Sequence, residues 1–179
     1  MVLSGDLSQT LITSARLTLR ASRAADAAES FAESNARIAK YMSWNPPASE
    51  KELKAMARVR FSNMKAGREL NLVIRLTSTN EFIGRASLHP ADADLLETGV
   101  WIKESAQGRG YGREAVAAVI KWASEKFHPS RFLYPVVDEN TRSCRLAEAL
   151  RGEIIGTRQR QKAGDRNRKL LLYCIPVSV

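Results

Sequence analysis

The sequence predicts an α/β domain of the α+β type, with about four helices flanking a mixed, mostly antiparallel sheet of about seven strands. Three observations carry this prediction. Apolar residues alternate in several short segments, they recur at helical spacing in others, and the elements follow one another in the order β-α-α-β-β-β-α-β-α-β-β. The chain of 179 residues is the size of one ordinary domain, to which we assign residues 1–179.

The first part of the chain is expected to hold a strand and two helices. Residues 1–10 are expected to form a flexible extension before a strand over Leu11–Leu19. Helical spacing predicts a first helix over Ala24–Met42. The helix cannot continue through Pro46 and Pro47, because proline breaks a helix. Ser49 and the glutamate three positions later form a capping-box pattern, which predicts a second helix that ends at Gly67.

The central part is expected to contain three strands and a helix. Leu70–Leu76 and Phe82–Leu88 flank a polar turn and predict a β-hairpin, and Leu95–Ile102 predicts a third strand beside it. A helix is expected over Tyr111–Lys126, because its apolar residues share one face.

The last part is expected to complete the sheet. Phe132–Val137 is apolar enough for a buried strand, and Thr141–Leu150 predicts a short helix. Two further strands are expected to form a hairpin at the end of the chain.

Composition indicates a cytoplasmic globular protein. Apolar residues make up 44% and charged residues 26% of the chain, and no run approaches the roughly 18 apolar residues that a membrane-spanning helix needs. Its first residues lack the basic and apolar regions of a secretion signal. Two isolated cysteines, Cys144 and Cys174, indicate neither a disulfide framework nor a metal site.

The formal net charge of +9 favours anionic partners. Part of the excess lies in the terminal hairpin, in Arg158, Arg160, Lys162, Arg166, Arg168 and Lys169. Such a segment can bind RNA or a phosphorylated cofactor, but a solvated hairpin that keeps the protein soluble explains the same charges.

A glycine-rich turn lies between the third strand of the central part and the helix that follows it. The segment Gln107–Arg113 contains three glycines, which leave the amides of the first helical turn open to a ligand. These amides and the helix dipole suit a pyrophosphate group. The turn lacks the Gly-Lys-Ser/Thr of a P-loop and the acidic residue of a Rossmann fingerprint, while a tight structural connection remains an alternative.

Specific motifs resemble the GNAT superfamily of acetyltransferases. The pattern Gln107-x-x-Gly110-x-Gly112 is similar to the acetyl-CoA signature of that superfamily. The longer run that begins at Glu97, with Asn140-Thr141-Arg142-Ser143 downstream, resembles the branch of the RimJ and RimL ribosomal-protein N-acetyltransferases.

The resemblance implies a GNAT fold and an acetyl-CoA site. Acetyl-CoA would lie in a V-shaped gap between the strands Leu95–Ile102 and Phe132–Val137, where its pantetheine arm pairs with backbone and one amide stabilises the oxyanion. No metal is implied. The cofactor-binding residues implied are Val100, Trp101, Ile102, Gln107, Gly108, Arg109, Gly110, Tyr111, Gly112, Arg113 and Asn140.

The resemblance also implies two catalytic residues. Glu97 matches the acidic residue that acts as base, and Ser143 matches the serine that protonates the departing thiolate. Each has a plainer explanation, since Glu97 also fits a half-exposed surface strand and Ser143 also fits a helix capped by Asn140. His89 and His128 are expected in loops, and Trp44 is expected either to pack in the core or, as the resemblance implies, to shape the acceptor site.

The acceptor follows from the nearest branch and from charge. An amine at the N-terminus of a protein is the first expectation, with ribosome or RNA proximity and a homodimer as further expectations. A polyamine, an aminoglycoside or an aminoacyl-tRNA is the alternative within the same chemistry, although a basic protein repels free polycations. A non-catalytic RNA-binding domain is the alternative of another class.

Overall fold

The computed structural model describes residues 3–92, 94–160 and 167–178, in which eight strands form one sheet. The helices are α1 (Ala27–Glu33), α2 (Ala36–Ala39), α3 (Glu50–Lys65), α4 (Tyr111–Phe127) and α5 (Thr141–Ala149). The strands are β1 (Leu11–Thr13), β2 (Leu17–Ala21), β3 (Leu70–Leu76), β4 (Phe82–Asp92), β5 (Leu95–Ile102), β6 (Arg131–Val137), β7 (Glu153–Arg160) and β8 (Arg168–Ile175).

The sheet has the order β1-β2-β3-β4-β5-β6-β8-β7. Every neighbouring pair is antiparallel except β5 and β6, which are the two strands joined through α4. The expected mixed, mostly antiparallel sheet is therefore confirmed. In the described residues, no helix is long and apolar enough to cross a membrane.

The extra strand arises near the start of the chain. The strand expected over Leu11–Leu19 bends between β1 and β2, which then pair with each other. The Ser14 amide donates to the Leu17 carbonyl at 2.9 Å, and the Leu17 amide donates to the Ser14 hydroxyl at 3.2 Å. Because these bonds close a turn, the single expected strand becomes a hairpin.

Residues 3–10 are packed against the domain, which corrects the expected flexible extension. Leu3 and Leu7 are fully buried in the main apolar core. The Leu7 amide donates to the Met64 carbonyl at 3.0 Å, which ties the segment to the end of α3. The segment also passes close to Gly67, where an added Cβ would lie 2.2 Å from the Leu3 carbonyl oxygen.

The helix expected over Ala24–Met42 is divided into a 3₁₀ turn, α1 and α2. The Ser34 hydroxyl donates to the Ser30 carbonyl at 2.5 Å near the end of α1. The Asn35 side chain then accepts hydrogen bonds from the Arg37 and Ile38 amides, so it begins α2 as an N-cap. Ser and Asn side chains that bond to nearby backbone compete with helix continuation in this way.

The start of α3 agrees with the expected cap in one of its two bonds. The Ser49 hydroxyl accepts from the Glu52 amide at 3.1 Å. The Glu52 carboxylate, however, accepts from the Ala48 amide rather than from that of Ser49. The helix itself ends at Lys65, two residues before Gly67.

The two faces of the sheet differ in character. Helix α4 packs on one face through Ala115, Val116, Val119 and Ile120, which are fully buried. The other face is more polar, and it includes Arg85, whose guanidinium donates to the Ser30 hydroxyl of α1. The apolar face holds the sheet together, while the polar face is available for a functional site.

We predict that Leu7→Ala lowers the free energy of unfolding by about 2–5 kcal/mol, because it opens a cavity in the core. Leu11→Ala is the matched control, since Leu11 is 60% exposed, and it is expected to cost less than about 0.5 kcal/mol. Urea denaturation of both variants measures the two effects. Equal costs would show that residues 3–10 do not contribute to the core.

Candidate functional site

The site begins where β5 and β6 separate. Their parallel pairing covers only Leu95–Glu97 against Arg131–Leu133 in the described chain. Beyond that point β5 stays paired with β4 as far as Ile102, and β6 stays paired with β8 as far as Val137. The inner edges of both strands therefore diverge and leave backbone groups of β5 available for a ligand.

The glycine-rich turn lies at the wide end of this gap. Gly108 and Gly110 have φ angles of +79° and +80°, a region that side chains rarely adopt, and α4 begins directly afterwards. An added Cβ at Gly112 would lie 3.2 Å from Leu146 of α5, so this glycine permits close packing. The first amides of α4 consequently face a space that suits an anion.

Polar contacts fix the turn on both sides. Gln107 donates to the Ile102 carbonyl at 2.9 Å and accepts from Arg142 at 2.7 Å, which joins the turn to β5 and α5. Arg16 donates to the Arg109 carbonyl at 3.1 Å and forms an ion pair with Glu114 at 2.7 Å. Burial would raise the pKa of the Glu114 carboxyl, but hydrogen bonds from Ser14 and Arg16 outweigh it and lower that pKa.

A cavity of about 900 Å³ follows the gap and the turn. Ten of the eleven predicted cofactor-binding residues line it. Arg109 is the exception. Its carbonyl accepts a hydrogen bond from Arg16. Lys103 has the largest part in lowering the pKa of the Glu81 carboxyl, and the charge of Arg109 adds to this effect. The ten are Val100, Trp101, Ile102, Gln107, Gly108, Gly110, Tyr111, Gly112, Arg113 and Asn140.

A second cavity of about 770 Å³ opens on the polar face of the sheet. It contains Glu97 and is bounded by α3, by the loop before α3 and by β7. The two cavities meet at a wall of shared residues, which are Tyr41, Met42, Val100, Trp101, Tyr134, Asn140 and Ser143. Ligands bound in the two cavities would therefore contact some of the same residues.

Ser143 lies at this junction beside Tyr134, a residue that sequence reasoning missed. The Tyr134 and Ser143 hydroxyls are 3.0 Å apart, and burial raises the pKa of Tyr134 to about 12. Asn140 caps α5 by accepting from the Ser143 amide at 3.3 Å, and it also lines both cavities. The available signal was a tyrosine placed just before a proline in an otherwise apolar strand.

Glu97 and His89 lie directly opposite each other on β5 and β4. Both line the second cavity. This corrects the expectation that His89 lies in a loop, because β4 continues to Asp92 through its pairing with β5. Paired residues of antiparallel strands project to the same face of a sheet.

Two buried side chains on the same face of the sheet have a hydrogen-bond donor without a partner. Among the described residues, Arg85 Nη2 and Asn71 Nδ2 have no hydrogen-bond partner. Burial lowers the pKa of Arg85 to about 10, and the nearby charge of Arg60 contributes in the same direction. Both residues line the second cavity, so these two donors lie close to any ligand that it would hold.

Aromatic and basic residues form the rest of the second cavity. Trp44, for which the sequence left the core and the acceptor site as alternatives, lines it and contacts Trp101 at a ring-centre distance of 6.4 Å. Arg158 and Arg160 of the basic hairpin also line it. Lys162 and Arg166 lie outside the described residues, which leaves part of that expectation without a structural account.

Within the described part of the chain, no group of three or more His, Cys, Asp or Glu side chains is arranged to hold a metal ion.

Residues 16–153 match the family described as the acetyltransferase (GNAT) domain. A curated relative, an N-acetyltransferase 9-like protein of Caenorhabditis briggsae, is 32% identical over 83 residues. That match covers 46% of this chain and 41% of the relative, so the chain spans less than half of the relative's length.

Two solved structures share the fold. The acetyltransferase (GNAT family) from Bacillus anthracis has a TM-score of 0.82 at 21% identity, covering 95% of this chain and 100% of that one. RimL, described as a ribosomal L7/L12 alpha-N-protein acetyltransferase in complex with coenzyme A, has a TM-score of 0.80 at 18% identity, with the same coverage.

Proposed function

Because the chain belongs to the GNAT acetyltransferase family, we propose that it transfers an acetyl group from acetyl-CoA to a primary amine. The observation that carries this proposal is the junction of the two cavities at Tyr134 and Ser143. One cavity has the shape and donors for a phosphorylated cosubstrate, and the other opens toward Glu97. A direct reaction within a ternary complex needs this arrangement, since both substrates must be bound together.

The first cavity would hold acetyl-CoA. The amides after Gly108 would bind the pyrophosphate, and the diverging edge of β5 would pair with the pantetheine arm over Val100–Ile102. Arg113 and Arg142 line the same cavity and would supply positive charge. RimL, which shares the fold, is described in complex with coenzyme A.

Three groups would perform the transfer. Glu97 would draw the proton from the acceptor's ammonium group, which leaves a neutral nitrogen to attack the thioester carbonyl. A backbone amide of Val100–Ile102 would stabilise the oxyanion. Ser143 would then give a proton to the departing thiolate, and the hydrogen bond with Tyr134 would hold its hydroxyl in place.

We propose the α-amine at the N-terminus of a protein as the acceptor. Four arginines and three glutamates line the acceptor cavity, so its small positive excess, together with the net charge of +9, disfavours free polycations such as polyamines and aminoglycosides. A peptide carries one amine and several carbonyl oxygens, which suit the incomplete donors of Arg85 and Asn71. RimL, which shares the fold, is described as an α-N-protein acetyltransferase.

Three further parts of the proposal concern the setting of the reaction. The positive charge of the basic hairpin would favour a protein acceptor presented near RNA, as at a ribosome. Strand β7 lies at an edge of the sheet, and Ile154 and Ile155 on it are more than half exposed. We propose that this edge would be the contact surface of a homodimer. A cytoplasmic location would supply both acetyl-CoA and such acceptors.

An assay with purified protein and acetyl-CoA tests the function. We predict that thiol release is stimulated by peptides with a free α-amine and abolished by prior acetylation of that amine. Spermidine, an aminoglycoside and an aminoacyl-tRNA are tested in the same panel. Greater activity on spermidine than on every peptide would contradict the proposed acceptor, and RNA binding without any acetyl transfer would favour the non-catalytic alternative.

Ser143→Ala is predicted to lower kcat by about 10²–10⁴-fold if its hydroxyl is the general acid. The Kd for acetyl-CoA should stay within about twofold, because the hydroxyl acts as the thiolate leaves. Tyr134→Phe should produce a smaller loss of kcat, since it removes only the hydrogen bond that holds Ser143. If Ser143→Ala instead weakens acetyl-CoA binding at unchanged kcat, Ser143 serves as a binding or capping residue.

A further inference from the structure

We propose that the proton removed from the acceptor's ammonium group ends on the imidazole of His89, which lies beside the carboxylate of Glu69 and opposite Glu97 across β4 and β5. This inference rests on the proposed acetyl transfer and adds a proton-accepting residue to it. It gives a role to a histidine whose sequence context alone indicated a loop.

The position of His89 is the first observation. His89 is the partner of Glu97 across β4 and β5, and directly opposed residues have Cβ atoms about 4.5–5.5 Å apart. Both side chains line the acceptor cavity. A proton that leaves an amine in this cavity can therefore reach either group directly or pass from one to the other.

The orientation of the imidazole is the second observation. His89 Nδ1 lies 3.6 Å from Glu69 Oε2, and the side-chain nitrogen of Asn63, Nδ2, donates to Glu69 Oε1 at 2.8 Å. The side-chain oxygen of Asn63, Oδ1, in turn accepts from the Arg68 guanidinium at 2.7 Å. Glu69 is thus held by its own partners, and its attraction for Nδ1 leaves the other ring nitrogen, Nε2, for the cavity.

The charges around the ring are the third observation. Burial lowers the pKa of His89, Glu69 and Glu97 act to raise it, and Arg60 acts to lower it. These residues come from the segment before β3, from β5 and from α3, and burial is the largest influence. The imidazole is therefore neutral at pH 7 and can accept a proton, after which two carboxylates stabilise the imidazolium that forms.

The proton transfer balances without another reactant. An N–H bond of the ammonium breaks, its electron pair stays on the amine nitrogen, and a new N–H bond forms on the imidazole. The neutral amine can then attack the thioester carbonyl. Because 39% of the His89 side chain is exposed, the imidazolium can return its proton to water before the next turnover.

The experiment compares His89→Gln with the wild type across pH 5.5–9.5, using the best peptide of the acceptor panel. At pH 7 the variant should lose about 10²–10⁴-fold in kcat/KM, with an unchanged Kd for acetyl-CoA. In the wild type the acceptor can bind as an ammonium and only His89 must be neutral, so log kcat/KM should rise with a slope of one and level off above the pKa of His89. In the variant the amine must first lose its proton to water, so the rise should continue up to the amine's pKa of about 8.

Two further variants control the interpretation. His128→Asn alters the other histidine, which ends α4 with a φ of +50°, a conformation that asparagine tolerates, and its pH profile should match the wild type. Glu69→Gln removes a charge that raises the pKa of His89, so the lower limb of the profile should move to lower pH. Nuclear magnetic resonance of the imidazole in Glu69→Gln should record the same lowered pKa without any substrate.

The outcomes separate this inference from the proposed function. If the wild type acetylates peptides and His89→Gln keeps both its rate and its pH profile, the inference about His89 is wrong and the proposed function stands. If His89→Gln is poorly folded, an unchanged pH profile in Glu69→Gln overturns the inference equally. If the wild type acetylates no amine, the proposed function itself fails.

Discussion

The separation of β5 from β6 is the constraint on which the site depends. Their pairing ends after Glu97 and Leu133, and Pro135 follows two residues later with no amide hydrogen to donate to a neighbouring strand. Each strand keeps its other neighbour, so the sheet opens locally without losing its core. The opening leaves the β6-facing edge of β5 without a strand partner over the residues that line the cofactor cavity, and the glycine-rich turn lies at its wide end. A continuous β5–β6 ladder would remove both features at once.

The polar face of the sheet depends on the same opening. Residues that pair across β4 and β5 project to the same face of the sheet, so His89 and Glu97 line the same cavity. Arg85 also lines this cavity and lies opposite Trp101 on β5. The apolar face, covered by α4, supplies the burial that stabilises the fold. Stability and chemistry are thus assigned to opposite faces of the same strands.

Periodicity predicted most of the fold, because the spacing of apolar residues in amphipathic segments such as α4 and β5 indicates which side of the element is buried. The bounds of β5 and the first residue of α4 were both predicted correctly, and Gly108 and Gly110 lie in the turn that the sequence indicated. What sequence could not supply was contact between distant segments. Burial of Leu3 and Leu7 depends on α3, and the hydrogen bond between the Tyr134 and Ser143 hydroxyls joins β6 to α5. His89 was assigned to a loop because it precedes a proline, whereas strand pairing carries β4 beyond that proline.

A crystal structure of the protein with bound acetyl-CoA tests the central claim most directly. The account predicts pyrophosphate oxygens within about 3.2 Å of the amides that follow Gly108, and pantetheine amides paired with β5 over Val100–Ile102. It also predicts the thioester sulfur beside Ser143, with the acetyl group facing the cavity that holds Glu97 and His89. Acetyl-CoA bound outside the β5–β6 gap, or β6 paired with β5 beyond Glu97 in the complex, would contradict the account.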